Sequence, residues 1–170
     1  MKNTLKLVLA VAFVAFCGNV SAQNIKLAHI DLQELVSSMP ENDSAMVKLQ
    51  KFVQELENEL ELLGVERNRK YEDYLKNRDN LSDLVRRSRE DELNQMNQRI
   101  EMFQQQAEQD IQQEQVKLFQ PVYDKANKAV EAVAKEQGVT YVINVQALHY
   151  KATGTTDLLP AVKQHLGIKN

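Results

Sequence analysis

Along the middle of the chain, apolar residues return at alternating steps of four and three. Leu49, Val53, Leu56, Leu60 and Leu63 do so in one run, and Leu93, Met96, Ile100, Phe103 and Ala107 in a second. That spacing gathers each set into one stripe of a helix and is the signature of a coiled-coil seam. Between the runs, Asp79 and Asn80 are turn formers, and Ser82 or Asp83 can cap a new helix. Two antiparallel helices are therefore predicted between about residues 42 and 137. In such a pair, facing positions share a constant sum of residue numbers. Leu63 with Ile100, Leu60 with Phe103, and Leu56 with Ala107 share one sum, while Val53 with Ile111 and Tyr71 with Leu93 fall one higher. The tip then belongs between Leu81 and Ser82, where the turn chemistry also puts it. A single uninterrupted rod gives no reason for that agreement.

The flanks follow a different pattern. Residues 25–31, IKLAHID, have the β-branched and apolar content of a short strand, and LQELVSSMP reads as one or two helical turns ended at Pro40. Asn42, Asp43 or Ser44 is the expected cap of the outgoing long helix. After Gly138, VTYVINVQALHYK reads as two short strands or a hairpin. DLLPAVKQHLG reads as a closing helix, with Asp157 as N-cap and Gly167 past its end. The predicted fold class is α+β and mostly α, a small β body carrying a long helical hairpin.

One residue breaks the helical run. Pro121 removes a backbone hydrogen bond and clashes with the preceding turn, at a cost of roughly 3 kcal/mol inside a helix. The facing-pair rule places Pro121 opposite Asn42, at the base of the hairpin, about 38 residues or roughly 57 Å from the tip. Beyond it, Val122, Ala126, Val130 and Val133 continue the helical pattern, now available to the β body. Pro121 is thus the expected hinge, kinking the returning helix to re-aim it.

Composition changes the picture at the N-terminus. The first 22 residues combine Lys2 and Lys6, an apolar run from Leu7 to Phe16, and small residues ending at Ala22, the three parts of a secretory signal. The run is too short for the ~20 residues that a bilayer core requires. Cys17 could instead carry a lipid anchor, but Phe16 before it is bulky where that processing favours a small residue. Cleavage after residue 22 leaves 19 Lys and Arg against 24 Asp and Glu and no cysteine. An exported chain of that kind has neither disulfides nor thiolate chemistry. A hairpin of two helices also has too narrow a core to stand alone, which implies that the β body oligomerises.

Charge is distributed unevenly. From Arg67 to Arg89 there are eight basic residues and four acidic ones, whereas residues 41–66 carry seven acids and two lysines. A basic tip on an acidic shaft suits either helical i,i+4 pairing or an anionic partner such as a membrane surface. Nucleic acid is disfavoured by the export signal and the net negative charge. His29, His149 and His165 are scattered without a second ligand at metal spacing, and no GxSxG, P-loop, GxGxxG or HExxH occurs. Glu72 with Asp73, and Glu90 with its acidic neighbours, read as solvated helix face. No enzyme and no cofactor is expected. Met46, Met96, Met102, Tyr71, Tyr74 and several Gln give the seam a soft, adaptable character.

Two segments resemble those of Skp/OmpH-type periplasmic chaperones. IKLAHIDLQELVSSMPE is similar to that family's strand and short helix ending in a proline. FQPVYDKANKAVEAVAKEQGVTYVIN is similar to its proline, Ala-rich helix, glycine turn and apolar strand. The resemblance implies a periplasmic homotrimer with a central β body and helical tentacles, enclosing unfolded outer-membrane proteins without ATP. Under it, residues 23–42 and 122–170 form the body, with Ile25, Leu27, Ile30, Val142 and Val145 at the trimer contact. Residues 43–121 form the tentacle, with its tip near 79–83, and Arg78, Arg86, Arg87 and Arg89 match the family's basic ends. The family's best-known member is strongly basic and this mature chain is acidic, so attraction of acidic clients cannot be general. The alternative from another class is an adaptor coiled coil of the cell envelope, whose tip docks one folded partner.

Overall fold

The computed structural model describes residues 25–168; the signal reading of residues 1–22 and the question of Cys17 lie outside them. Strand β1 is Leu27–Ile30, followed by the short helix α1, Leu32–Ser37, and two long helices, α2, Pro40–Asn77, and α3, Asp83–Glu136. Strand β2, Tyr141–Asn144, the two-residue strand β3, Thr156–Asp157, and helix α4, Leu159–His165, complete the chain. The fold is the expected one, 77% helical over the described residues, with a small sheet and a helical hairpin. Among the described residues no helix is long and apolar enough to cross a membrane.

Pro40 begins a helix rather than ending one. It stands at the first position of α2 behind Met39, and Asn42, Asp43 and Ser44 lie inside the first turns instead of capping them. The first N–H of a helix has no partner in any case and proline's fixed φ suits that position, so Pro40 costs nothing there. Between α2 and α3, a 3₁₀ turn at Arg78–Asn80 reverses the chain, and Ser82 caps α3 by accepting from the Val85 N–H at 3.5 Å. Helix α3 is 54 residues long and runs unbroken through Pro121, which is solvent-exposed.

The sheet is where the sequence reading needs correction. All three strands are parallel, in the order β2-β1-β3, with Leu27 facing Tyr141, Ile30 facing Asn144, and Ala28 facing Thr156. Parallel neighbours need a crossover, and the crossover from β1 to β2 is the entire hairpin. VTYVINVQALHYK therefore supplies one strand, not two, because after Asn144 the chain turns through a 3₁₀ segment, Val145–Ala147, and leaves the sheet. Glycines end two helices as expected. Gly138 (φ 65°) and Gly167 (φ 70°) take the left-handed conformation, with Val139 N–H bonding Ala134 O at 2.8 Å and Ile168 N–H bonding Lys163 O at 2.9 Å. Asp157 caps α4 from just outside, its Oδ1 accepting from the Leu159 N–H at 2.9 Å.

One core holds the body. Ala28 and Ile30 of β1, Leu35 and Val36 of α1, Met39, and Leu158, Leu159 and Val162 at α4 pack with Ala45 of α2 and with Val122, Ala126, Ala129 and Val133 of α3. Lys125 of α3 pairs with Glu41 of α2 beside it. Along the hairpin α3 faces α2; from about Leu118 onward the same helix also packs on the body, burying small side chains there beyond Pro121. Along the hairpin, by contrast, only Leu63 and Tyr74 of α2 are buried beyond Ala45.

Gly64 sits within α2, and a Cβ built there meets nothing within 4 Å. Its backbone freedom in a helix therefore costs stability with no packing return. Gly64→Ala is expected to raise the unfolding free energy by about 0.5–1 kcal/mol, read as a higher urea midpoint at unchanged slope.

Candidate functional site

The exposed surface of the hairpin is the largest feature that the fold presents. Its seam is only partly closed. Val53, Leu56 and Leu60 of α2 and Phe103, Ala107 and Ile111 of α3 are each half-buried and line one open apolar groove. Two helices in contact bury a stripe on each, but a third surface is required to close the flanks of that stripe. The groove is what remains when no third helix is present.

Nearer the tip the seam changes character. The heptad continues through Arg67, Lys70 and Tyr74, so the buried tyrosine is Tyr74, while Tyr71, expected opposite Leu93, is exposed. Lys70 pairs across the hairpin with Glu92, which also receives Arg89 Nη1 at 3.0 Å, and Tyr74 donates its hydroxyl to Glu90 Oε1 at 2.5 Å. Arg67 Nε is buried without a hydrogen-bond partner among the described residues. Arg69, Lys70, Asp73, Tyr74, Arg89, Glu92 and Leu93 thus form a polar pocket bridging both helices. Sequence reasoning assigned Arg89 to the tip and Tyr74 to the seam but missed Lys70 there, and Met46, Met102 and Tyr71, also expected in the seam, are exposed.

The four arginines singled out from the sequence do not form a bare positive cluster. Arg78 pairs with Asp79 at 3.6 Å, Arg86 with Asp83, and Arg89 with Glu92, each within one turn. Arg87 is exposed and makes no ion pair among the described residues. Exposed local pairs of this kind contribute little to stability, and they reduce the net positive field of the tip. Pro121 lines a depression at the hairpin base together with Pro40, Ala45 and Leu118. In the body, Ile25, Leu27 and Tyr141 are more than half exposed, Val142 and Val145 are half-buried, and Ile30 lies in the protomer's own core. His29 is buried, with Nε2 3.1 Å from Lys151 Nζ and 3.9 Å from Asp157 Oδ2. His149 and His165 are exposed, and no group of three His, Cys, Asp or Glu among the described residues could hold a metal.

The bridge at Glu92 makes the tip acid-sensitive. Hydrogen bonds from Lys70 first, and then Arg89, hold its carboxyl below the ordinary value of 4.5. A folded-state value below the unfolded one means that the contribution is fully present above about pH 4.5 and is lost as pH falls through the lowered value. As pH falls through that lowered value, the protection of amides near the tip, measured against their intrinsic exchange rates, is therefore expected to fall before that of the body. Glu92→Gln is expected to show the reduced tip protection already at pH 7, with no further step in acid. The phenol of Tyr74 is shifted the other way, upward, because Glu90 accepts its proton.

Comparison with known proteins adds the following. The sequence profile of the family described as outer membrane protein (OmpH-like) matches residues 26–166. A crystal structure at 2.83 Å from Caulobacter crescentus CB15, assigned provisionally as an OmpH-like outer membrane chaperone, superposes with a TM-score of 0.74. That match covers 88% of each chain at 13% identity, which is a likeness of fold. No curated protein sequence matches the chain.

Proposed function

From the premise that the chain belongs to the OmpH-like family of outer membrane proteins, whose profile spans residues 26–166, we propose that it is an ATP-independent holdase chaperone. It acts in the periplasm on unfolded outer-membrane proteins, holding them between the helical arms of a homotrimer and preventing their aggregation. The observation that carries this reading is the unclosed seam. Two helices of 38 and 54 residues leave Val53, Leu56, Leu60, Phe103, Ala107 and Ile111 only half-covered, which is costly unless something apolar is there to meet them. Each such contact is weak, and several arms around one client supply affinity by avidity.

The homotrimer draws support from the sheet. β2 is an edge strand, and an uncovered edge is a template for pairing with another chain. Ile25, Leu27 and Tyr141 expose 59%, 55% and 60% of their surface beside it. In the proposed assembly Val142 and Val145 close the same contact, and Ile30 supports it from within the protomer. The domain division proposed is a body of residues 23–42 and 122–170 and a tentacle of 43–121 turning near 79–83, with Pro121 as the hinge. At the tip, Arg78, Arg86, Arg87 and Arg89 offer contact to anionic clients or an anionic membrane surface, with Arg87 the most available.

The test is dilution of a urea-denatured outer-membrane β-barrel protein into buffer containing the mature chain, followed by light scattering. Equimolar trimer is expected to suppress aggregation without nucleotide. Unchanged aggregation would sink the chaperone reading. Binding confined to one folded envelope protein, and lost on changing Arg86 and Arg87 to Glu, would mark an adaptor instead.

A further inference from the structure

The back of a two-helix coiled coil faces solvent and is ordinarily its most charged surface. On α2 this holds at both ends of the back, where Lys51, Glu55, Arg69, Glu72 and Lys76 lie exposed, with the uncharged Asn58, Leu62 and Val65 between them. On α3 it does not. The positions two residues beyond each seam residue Leu93, Met96, Ile100, Phe103 and Ala107 are Gln95, Gln98, Met102, Gln105 and Gln109, and the stripe continues through Gln112 to Val116. All seven are exposed and none is charged. Among the described residues, none of the five glutamines on the stripe has a side-chain hydrogen-bond partner, whereas Gln106 and Gln120 beside it bond to Asp110 and Asp124 at 2.9 Å each. The stripe opens at its lower end into a shallow depression lined by Gln109, Gln112, Gln113 and Val116, with Lys117 at its edge.

We infer that this stripe is a contact surface for extended polypeptide, recognised through its backbone rather than its side chains. The inference rests on the holdase reading and specifies where and how a client is gripped. A primary amide both donates and accepts hydrogen bonds, as does every non-proline unit of an unfolded chain. Methionine and valine between the amides supply adaptable apolar contact. The absence of charge matters as much as the presence of amides. The shaft is acidic over residues 41–66, so a charged back would select clients by sign, whereas this stripe accepts a chain of either charge. From Gln95 to Val116 the stripe is about 32 Å long at 1.5 Å per residue, which matches about ten residues of extended chain at roughly 3.3 Å each.

Two triple variants test this, one changing Gln105, Gln109 and Gln112 to Glu and one changing them to Arg. Both substituents are good helix formers, and circular dichroism checks that helix content is kept. Each variant is expected to need at least tenfold more protein than the unmodified chain to suppress aggregation of the denatured β-barrel protein. A photo-crosslinking residue at 105 or 109 is expected to capture that client, and one at Glu55 on the back of α2 is not. If the unmodified chain holds the client and both variants hold it equally well, the stripe is not the contact surface and the holdase reading stands. Cross-links joining two copies of this chain would make a second protomer the occupant and overturn the inference. An unmodified chain that holds no client would overturn the holdase reading itself.

Discussion

Changing Leu27 and Tyr141 together to Asp is expected to leave a folded protomer with one third of the assembled mass and little capacity to hold clients. The two residues face each other across β1 and β2, and in the single chain they are 55% and 60% exposed. Polar substitution at such positions normally changes protomer stability by no more than about 0.5 kcal/mol. In the proposed homotrimer the same positions are covered by neighbouring subunits. Each introduced carboxylate must then be buried without a partner, a penalty of several kcal/mol per ion that three subunits multiply. Separated arms would lose the avidity of a shared client, a factor of roughly 10²–10⁴ in affinity. Sedimentation reads the mass, and light scattering of the diluted β-barrel protein reads the hold. A double variant that remains trimeric would show that the subunits meet elsewhere.

How far the sequence reached can be judged from particular residues. The hairpin was legible because heptads are local and repeat, and Ser82 at the start of α3 agrees with the facing-pair arithmetic. The seam near the tip was misread where its positions are filled by Arg67 and Lys70. Apolar pattern alone passes over charged residues, and it admitted Tyr71 to the seam beside Tyr74, although counting three and four onward from Leu63 reaches only Tyr74. The body was harder. A parallel sheet whose strands are separated by more than a hundred residues leaves no local trace of its pairing, so an alternating run after Gly138 suggested a hairpin. β3 has two residues, too few for any period to appear. Pro40 shows a different limit. The residue is an equally good stop before a loop or start at the first turn of a helix, and only the following fold distinguishes them. The charge run at the tip was visible, but its local neutralisation by Asp79, Asp83 and Glu92 depends on rotamers that sequence does not give.

Leu35→Ala is expected to destabilise the protein by about 2–5 kcal/mol, a large part of the 5–15 kcal/mol typical of a domain. Leu35 is fully buried in α1 and belongs to the core that receives Val122, Ala126, Ala129 and Val133 from the lower end of α3. Its truncation leaves a cavity in a core that Ile30, Met39 and Leu158 share with the small side chains of α3. Leu56→Ala, on the half-open seam, removes far less covered surface and is expected to cost under half as much. With a urea slope of roughly 2 kcal/mol per molar, the Leu35 change lowers the midpoint by about 1–2.5 M. The readout also decides how arms and body are coupled. Far-ultraviolet circular dichroism reports mainly the long helices, which dominate a structure that is 77% helical over the described residues, yet Leu35 lies outside them in the body. If the arms stand because the body anchors α3 beyond Pro121, the helical signal moves with Leu35→Ala by the full amount. A helical midpoint that stays in place would mean that the hairpin is stable by itself, and the proline joint would then separate two independent folding units.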